Sequence, residues 1–348
     1  MPRVTVLMPT YNVAPWVAEA VQSVLNQTYR DFELLVVDDG STDDTVACVK
    51  AIQDSRIRIA AFENNVGLAD NLNRGFDLIH TELVARMDGD DIAEPDWLET
   101  GVHVLDAHPE VGICSFGFQF FGSKTSLVRF PEYHEDSKAQ MLFGCTVIVP
   151  VLRRSVFVDN NLRYSTDTFP AEDYSLWAKA YRVAKIYNVQ RTLFHYRTHP
   201  TQISTARRQA QIEKSNEVRL QMLEWLNPDF TEEEKRYFLD CFVPCKIEQQ
   251  KDIDSLKLFA DQLINHNTQG HYDTSALRRK FKNHIAYAVL DFAERTYFPE
   301  GYHLKPFIHM CADGVFFRLP VKNRRKLVVK CLLSRKKQSD GKQQNGLH

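Results

Sequence analysis

The first hundred residues alternate between short apolar runs and segments of helical spacing, and this alternation restricts the fold more than any other feature. Val4 to Met8, Phe32 to Val37, Ile57 to Phe62 and Leu83 to Ala85 read as buried strands. Between them Val17, Val21, Val24 and Leu25 recur at helical spacing, and Leu68, Leu72, Phe76 and Ile79 make one helical face. Thr42-Asp43-Asp44 reads as a helix cap with acids in the first turn. Strand and helix in turn imply a parallel α/β sheet with right-handed crossovers. In such sheets ligands bind beyond the carboxyl ends of the strands. Pro9-Thr10-Tyr11-Asn12, Asp38-Asp39-Gly40-Ser41 and Arg86-Met87-Asp88-Gly89-Asp90-Asp91 all fall at strand ends of that kind, so three loops are expected to converge on one crevice.

The last of these loops carries the sharpest chemistry. Asp88, Asp90 and Asp91 repel one another where a buried strand gives out, unless a cation sits among them. The surrounding ligands are oxygens, so a hard divalent ion fits best, with open positions for substrate phosphates. Gly89 lets the backbone bend so that Asp88 and Asp90 face one point. A plain acidic turn before a helix is the competing reading. A calcium loop fails, because Ile92 and Ala93 stand where a ligand and the sharp-turn glycine belong. Asp38-Asp39-Gly40-Ser41 alone would be a turn. Beside a second acidic strand end, its carboxylates can accept from a nucleobase N–H or from ribose hydroxyls. Two acidic loops suit a nucleoside diphosphate only if a metal carries the phosphate charge. There is no Walker sequence and no Gly-x-Gly-x-x-Gly after the first strand, which removes the kinase and dinucleotide-dehydrogenase readings.

The rest of the chain sets limits. Its 348 residues, 44% hydrophobic and 25% charged, suit one large soluble domain with an appendage, or two domains. A net charge of −2 argues against a nucleic-acid partner. The seven scattered cysteines match no zinc pattern and read as buried or free thiols of a reducing compartment. Met1-Pro2-Arg3 leads straight into the first apolar run, and no run is long enough to span a bilayer. An intracellular protein without a signal peptide is therefore expected. From about Arg207 helical spacing takes over, with a capping box at Thr231 and Glu234. The expected division is a catalytic domain over 1–205, a helical region over 206–338 and a disordered tail over 339–348.

Five stretches, VTVLMPTYN (Val4 to Asn12), LLVVDDGSTDDT (Leu34 to Thr45), NVGLADNLNRG (Asn65 to Gly75), RMDGDD (Arg86 to Asp91) and AEDYSLW (Ala171 to Trp177), resemble the ordered motifs of the family 2 glycosyltransferases. The resemblance covers about residues 3 to 205. It implies an inverting enzyme of the GT-A fold, with a Rossmann-like, mostly parallel sheet flanked by helices and followed here by the helical region. Pro9, Thr10, Tyr11 and Asp39 would hold the nucleoside, Asp39 accepting from a uracil-type base, with Asn73 lining the same pocket. Asp88 and Asp90 match the Asp-x-Asp motif, Asp88 toward ribose or metal and Asp90 on Mg²⁺ or Mn²⁺, with Asp91 close enough to help. Asp173 matches the position of the general base, for which acids suiting the start of a helix are the plain alternative. Glu172 is the adjacent candidate, and Trp177 either packs against the sugar or belongs to the core. His195 to His199 resembles the family's late Tyr-Arg-x-His segment, placing His199 toward the metal or diphosphate and Arg197 against phosphate charge. The chain departs from the family's frequent His-Pro with Ile148-Val149-Pro150.

The reading that results is a metal-dependent inverting glycosyltransferase of the hexosyl- or N-acetylhexosaminyl-transferase class. It would move sugar from a nucleotide donor, most often a UDP-sugar, to a hydroxyl of a saccharide or lipid-linked glycan in cell-surface polysaccharide synthesis. A nucleotide-sugar-binding protein without transfer and a sugar nucleotidyltransferase are the alternatives. The latter would want a glycine-rich loop and a basic residue after the first strand, where this chain has neither. At the C-terminal end Arg318, Lys322, Arg324, Arg325, Lys326, Lys330, Arg335, Lys336 and Lys337 interleave with apolar residues. Such a segment is either a packed helix with a solvated basic face or a peripheral contact with the anionic inner face of a membrane.

Overall fold

The computed structural model describes residues 2–123, 125–199, 202, 206–299 and 301–343, with side chains through Leu332. The chain divides into two units, Met1–Leu223 and Glu224–His348.

In the first unit the expected alternation is realised as β1 (Val4–Thr10), α1 (Ala14–Leu25), β2 (Phe32–Asp38), α2 (Thr45–Lys50), β3 (Ile57–Ala61), α3 (Leu68–Asp77) and β4 (Leu83–Arg86). These strands pair in parallel in the order β3-β2-β1-β4. Beyond β4 the sheet becomes mixed. The two-residue β5 (Ile92–Ala93), α4 (Trp97–Ala107), β6 (Val111–Gly122), β7 (Ser126–Val128), α5 (His134–Met141), β8 (Val151–Arg153), α6 (Arg154–Asp159), α7 (Glu172–Ala180), β9 (Lys185–Thr198) and α8 (Arg208–Glu224) follow. β8 runs antiparallel between β4 and β6, while β9 runs parallel to β6 and antiparallel to β5. The apolar stretch from Thr146 to Leu152 becomes a strand only at its end. The stretch before it is irregular, with Val149 at φ 38°.

The period-two pleat explains why the sheet is buried on both faces. Val4, Val6 and Met8 point to the side of α1, where Val17, Val21 and Val24 are fully buried with them. Leu7 points to the other side, toward α3. There Gly75 lets the helix lie directly on the sheet, because a Cβ at that position would overlap Leu7 Cδ1 and lie 2.9 Å from Val37 Cγ2. The seat of α3 fixes the loop before it, Asn65 to Gly67, against the end of β2.

The second unit is helical: α9 (Glu232–Tyr237) running on through a wider turn at Phe238–Phe242, α10 (Gln250–Asn265), α11 (Thr274–Tyr297), α12 (Leu304–Ala312), α13 (Val315–Arg318) and α14 (Val321–Gln343). Phe242 sits at its centre, edge-on to Phe259 and Phe281 at ring separations of 5.3 and 5.2 Å. The capping box read from Thr231 and Glu234 forms, Thr231 Oγ1 accepting from the Glu234 N–H and Glu234 Oε2 from the Thr231 N–H. α14 reaches Gln343. The side chains of Arg335, Lys336 and Lys337, and the end of the tail expected after Ser339, lie outside the described residues.

Gly75→Ala is expected to destabilise the protein by about 1–3 kcal/mol through overpacking, lowering the urea midpoint at unchanged slope. Gly144→Ala, whose Cβ would meet no atom within 4 Å, should stay within about 0.5 kcal/mol.

Candidate active site

The carboxyl ends of β1, β2 and β4 open on a cavity of about 890 Å³. The loops after β1 and β2 form one wall and are strapped together. Asn12 donates its N–H to Ser41 Oγ and accepts from the Thr42 N–H with Oδ1. Asp38 accepts from Thr10 Oγ1, Ser41 Oγ and the Ser41 N–H, which spends that carboxylate on the loop itself. Asp43 ties α1 to α2 by accepting from the N–H groups of their first residues, Ala14 and Thr45. Asp39 faces the cavity, and its two oxygens accept from the N–H groups of Val66 and Gly67 at 2.9 and 2.8 Å. A carboxylate has about four acceptor positions, so two remain for a ligand. Pro9 and Thr10 line the same wall and Tyr11 is half exposed on it.

Asn73 does not line the cavity. Its amide clamps the Tyr164 backbone, donating to the carbonyl at 2.9 Å and accepting from the N–H at 3.0 Å. Two residues earlier on α3, on a different helical face, Asn71 lines the cavity and donates to the Val37 carbonyl.

The acidic loop meets the base candidate through a residue whose side chain the sequence reading gave no role. Arg86, 8% exposed at the end of β4, donates to Asp173 Oδ1 with one terminal nitrogen and to Asp88 Oδ1 with the other at 3.1 Å. Its Nε has no partner, and Tyr164 lies 5.8 Å from the guanidinium. Burial works against this charge, but Asp173 and Asp88 keep its pKa well above the ordinary value. Asp173 and Glu172 are the first two residues of α7, so both sit at the positive end of that helix. Asp173 is about one-third exposed, whereas Glu172 is buried and its Oε2 has no hydrogen-bond partner among the described residues. Burial, then the neighbouring Asp173 charge, pushes the Glu172 carboxyl up to about 7.

β5 and β9 complete the acidic side. Their antiparallel pairing, Ile92 opposite His195, carries the end of β9 past Asp90 and Asp91. His199 Nε2 lies 3.1 Å from Asp90 Oδ2, and its ring stacks on Trp16 at 4.0 Å. Asp91 is almost fully buried and accepts from the Arg197 N–H at 2.7 Å. Burial, then Asp90 and Asp88, raises its pKa well above the usual range; burial likewise raises that of Asp88. The Arg197 guanidinium, expected to face phosphate, is instead held by Glu19 Oε2 and the Asp90 carbonyl and covers Phe121. Trp177 is fully buried, edge-on to Phe157. Its ring belongs to the core and borders the cavity from there.

Among the described residues no group of three or more His, Cys, Asp or Glu side chains is arranged to hold a metal ion. The donor set still suits a hard cation that shares its coordination with a ligand. Asp90 and His199 are in contact at the cavity, and Asp88 and Asp91 carry raised pKa values in part because the three acids repel.

The opposite wall is aromatic and polar. Phe118 and Phe120 on β6 and Tyr196 on β9 pack ring to ring at 5.0–5.8 Å, with Phe130 beside them. Arg207, Gln211, Ser215 and Arg219 follow at four-residue spacing along and just before α8. That spacing is visible in the sequence. What it faces is not.

A model described as glycosyl transferase family 2 matches residues 5–174. An uncharacterized glycosyltransferase of Haemophilus influenzae is 29% identical over 233 residues, covering 63% of this chain and 72% of that protein. EpsE of Bacillus subtilis, a glycosyltransferase by name, is 31% identical over 206 residues, covering 56% of this chain and 73% of its own length. Two Rickettsia relatives are spanned over 65% of theirs. Among solved structures, residues 1–349 of S. aureus TarS in complex with UDP-GlcNAc superpose with a TM-score of 0.57 at 20% identity. That match covers 85% of this chain and 93% of the other, and carries the fold.

Glu172 gives the site a stability signature. A carboxyl whose pKa rises from 4.5 unfolded to about 7 folded binds its proton more tightly in the native state. Its contribution is whole below pH 4.5 and is lost as pH climbs toward 7. In EDTA the thermal midpoint is expected to fall between pH 5 and 8, and Glu172→Gln should flatten that fall.

Proposed function

The chain belongs to glycosyl transferase family 2 and is a glycosyltransferase, and from that premise we propose a metal-dependent inverting transfer from a UDP-sugar to a hydroxyl of a saccharide, free or lipid-linked. The observation that carries the proposal is the buried Arg86 joining Asp88, from the acidic strand end, to Asp173, at the start of α7, inside one cavity. A donor-side carboxylate and a base candidate are thereby held at a fixed spacing.

In this reading the nucleoside lies along Pro9, Thr10 and Tyr11, with Asp39 accepting from the base N–H through its two remaining positions. Asn71 takes the place first expected for Asn73. Asp90 and His199, with Asp88 beside them, would hold Mn²⁺ or Mg²⁺, which supplies charge stabilisation for the departing diphosphate. Asp91 supports that loop from behind by holding the Arg197 backbone. The acceptor enters along the aromatic wall, where ring faces suit the apolar faces of a sugar. Its oxygen attacks the anomeric carbon from the side opposite the diphosphate, so the anomeric configuration inverts. The hydroxyl proton passes to Asp173 Oδ2, because Oδ1 is already held by Arg86. Glu172, behind Asp173, is placed to accept from a donor-sugar hydroxyl through its unpartnered oxygen.

A panel of nucleotide sugars in Mn²⁺ buffer tests the donor and the metal together. UDP release from one UDP-sugar, abolished by EDTA, is expected; calorimetry showing that UDP with Mn²⁺ does not bind would overturn the reading. Asp173→Asn should lower turnover by about 10²–10⁴-fold while UDP·Mn²⁺ affinity stays within about threefold. Normal turnover in that variant would remove Asp173 from the base role.

A further inference from the structure

The C-terminal helices of the second unit leave an apolar surface uncovered. Leu304, Ile308, Phe317, Val321, Val329 and Leu332 are each between 47 and 64% exposed, and all lie within residues 304–332. On α14, Val321, Arg325, Val329 and Leu332 stand at i, i+4, i+8 and i+11, which places them within one narrow arc of the helix. Lys322 and Lys326 flank that arc, while Leu327 and Cys331 on the opposite side are buried. α12, which packs on α14, repeats the pattern with Leu304 and Ile308 four residues apart beside Lys305 and His309. Phe317 stands exposed between the two helices.

Charge selects the occupant. Residues 301–332 hold seven Lys or Arg against the single Asp313, in a chain whose net charge is −2. Two of the seven are spent inside the unit, Arg318 on Asp254 and Lys330 on Glu294. Among the described residues no ion pair holds Lys305, Lys322, Arg325 or Lys326. A solvated basic face would not alternate with exposed aliphatic side chains. A nucleic-acid backbone would answer the cations and leave the Val, Ile, Leu and Phe side chains in water. An anionic bilayer answers both, since headgroup phosphates pair with lysine and arginine while short apolar side chains enter the acyl boundary. Among the described residues no helix is long and apolar enough to cross a membrane, so this contact would lie in the plane of the interface. We propose that the α12–α14 face is a docking surface for a bilayer rich in anionic phospholipid. This stands apart from the transferase reading, because vesicle binding and donor turnover are measured separately.

The test is sedimentation of the full chain with vesicles of neutral phosphatidylcholine, and with the same vesicles carrying about 30% phosphatidylglycerol. Binding to the anionic vesicles at least about tenfold tighter, weakening with salt, is expected. Each basic residue at the surface is worth about fivefold in partition, so Lys322→Glu with Arg325→Glu and Lys326→Glu should abolish binding. Phe317→Ser with Val329→Ser and Leu332→Ser should weaken it about tenfold or more, and neither set should change UDP-sugar turnover in solution. Equal binding to both vesicle types, or none to either, would overturn the proposal. So would a concentration-dependent dimer in sedimentation velocity that the serine variant dissolves, which would make this face a contact between two copies.

Discussion

One buried guanidinium organises the site. Arg86 lies where β4 leaves the core, and an arginine there would be costly without partners. Its partners come from two directions: Asp88 from the turn just beyond the same strand, and Asp173 from a helix 87 residues later in the chain. The pairing fixes where the parallel half of the sheet meets the helix that closes the mixed half. It leaves the charge incomplete, because Asp88, Asp90, Asp91 and Asp173 share one buried arginine, with the Arg197 N–H added at Asp91 and the His199 ring at Asp90. In the proposed reading a divalent cation would supply what remains. The same excess of acid would turn away a bare diphosphate, so nucleotide and cation are expected to bind together.

Around that pairing the carboxylates divide into those that build the walls and those that face the ligand. Asp38 and Asp43 spend their oxygens on neighbouring N–H and O–H groups and hold the loops after β1 and β2 together. Asp91 does the same for the end of β9. Asp39, Asp88, Asp90 and Asp173 keep acceptor positions toward the cavity. The division follows from where each backbone runs: an acid whose side chain turns back under its own loop spends its oxygens there, and one that points past the strand end keeps acceptor positions, as Asp39 does beside the Val66 and Gly67 N–H groups.

Much of this was legible in the sequence because strand ends in a parallel sheet have only one place to go. The apolar runs gave the order of elements, and the loops after β1, β2 and β4 had to share an edge. The misplacements concern side-chain direction. Asn71 and Asn73 lie two positions apart on a helix, about 200° of rotation, so choosing between them needs the seat of α3, which Gly75 sets. Arg197 is the right residue type for phosphate, but β5 pairing brings Glu19 and the Asp90 carbonyl to it first. For Trp177, one turn after Asp173, the sequence left sugar contact and core both open, and its ring turns inward to Phe157. Arg86 was readable only as part of a motif. Nothing in its neighbours announces a bond to residue 173.

Glu172 and Asp173 show why adjacency in sequence does not make two acids interchangeable. Both begin α7 and both feel the positive end of that helix. One step of helix rotation, about 100°, gives them different surroundings. Asp173 reaches the cavity with one oxygen held by Arg86, so it stays in place with its second oxygen available. Glu172 is turned into the wall, with an oxygen that no described residue satisfies, and burial lifts its pKa to about 7 against the weaker pull of Arg86. A base must be charged before the acceptor arrives and must reach the acceptor's proton. In the proposed reading Asp173 takes that role, because Arg86 holds one of its oxygens and the other is open to the cavity. Glu172, with its carboxyl lifted to about 7, holds its proton more tightly than Asp173's position requires of a base, and in the proposed reading its part is to contact a donor-sugar hydroxyl.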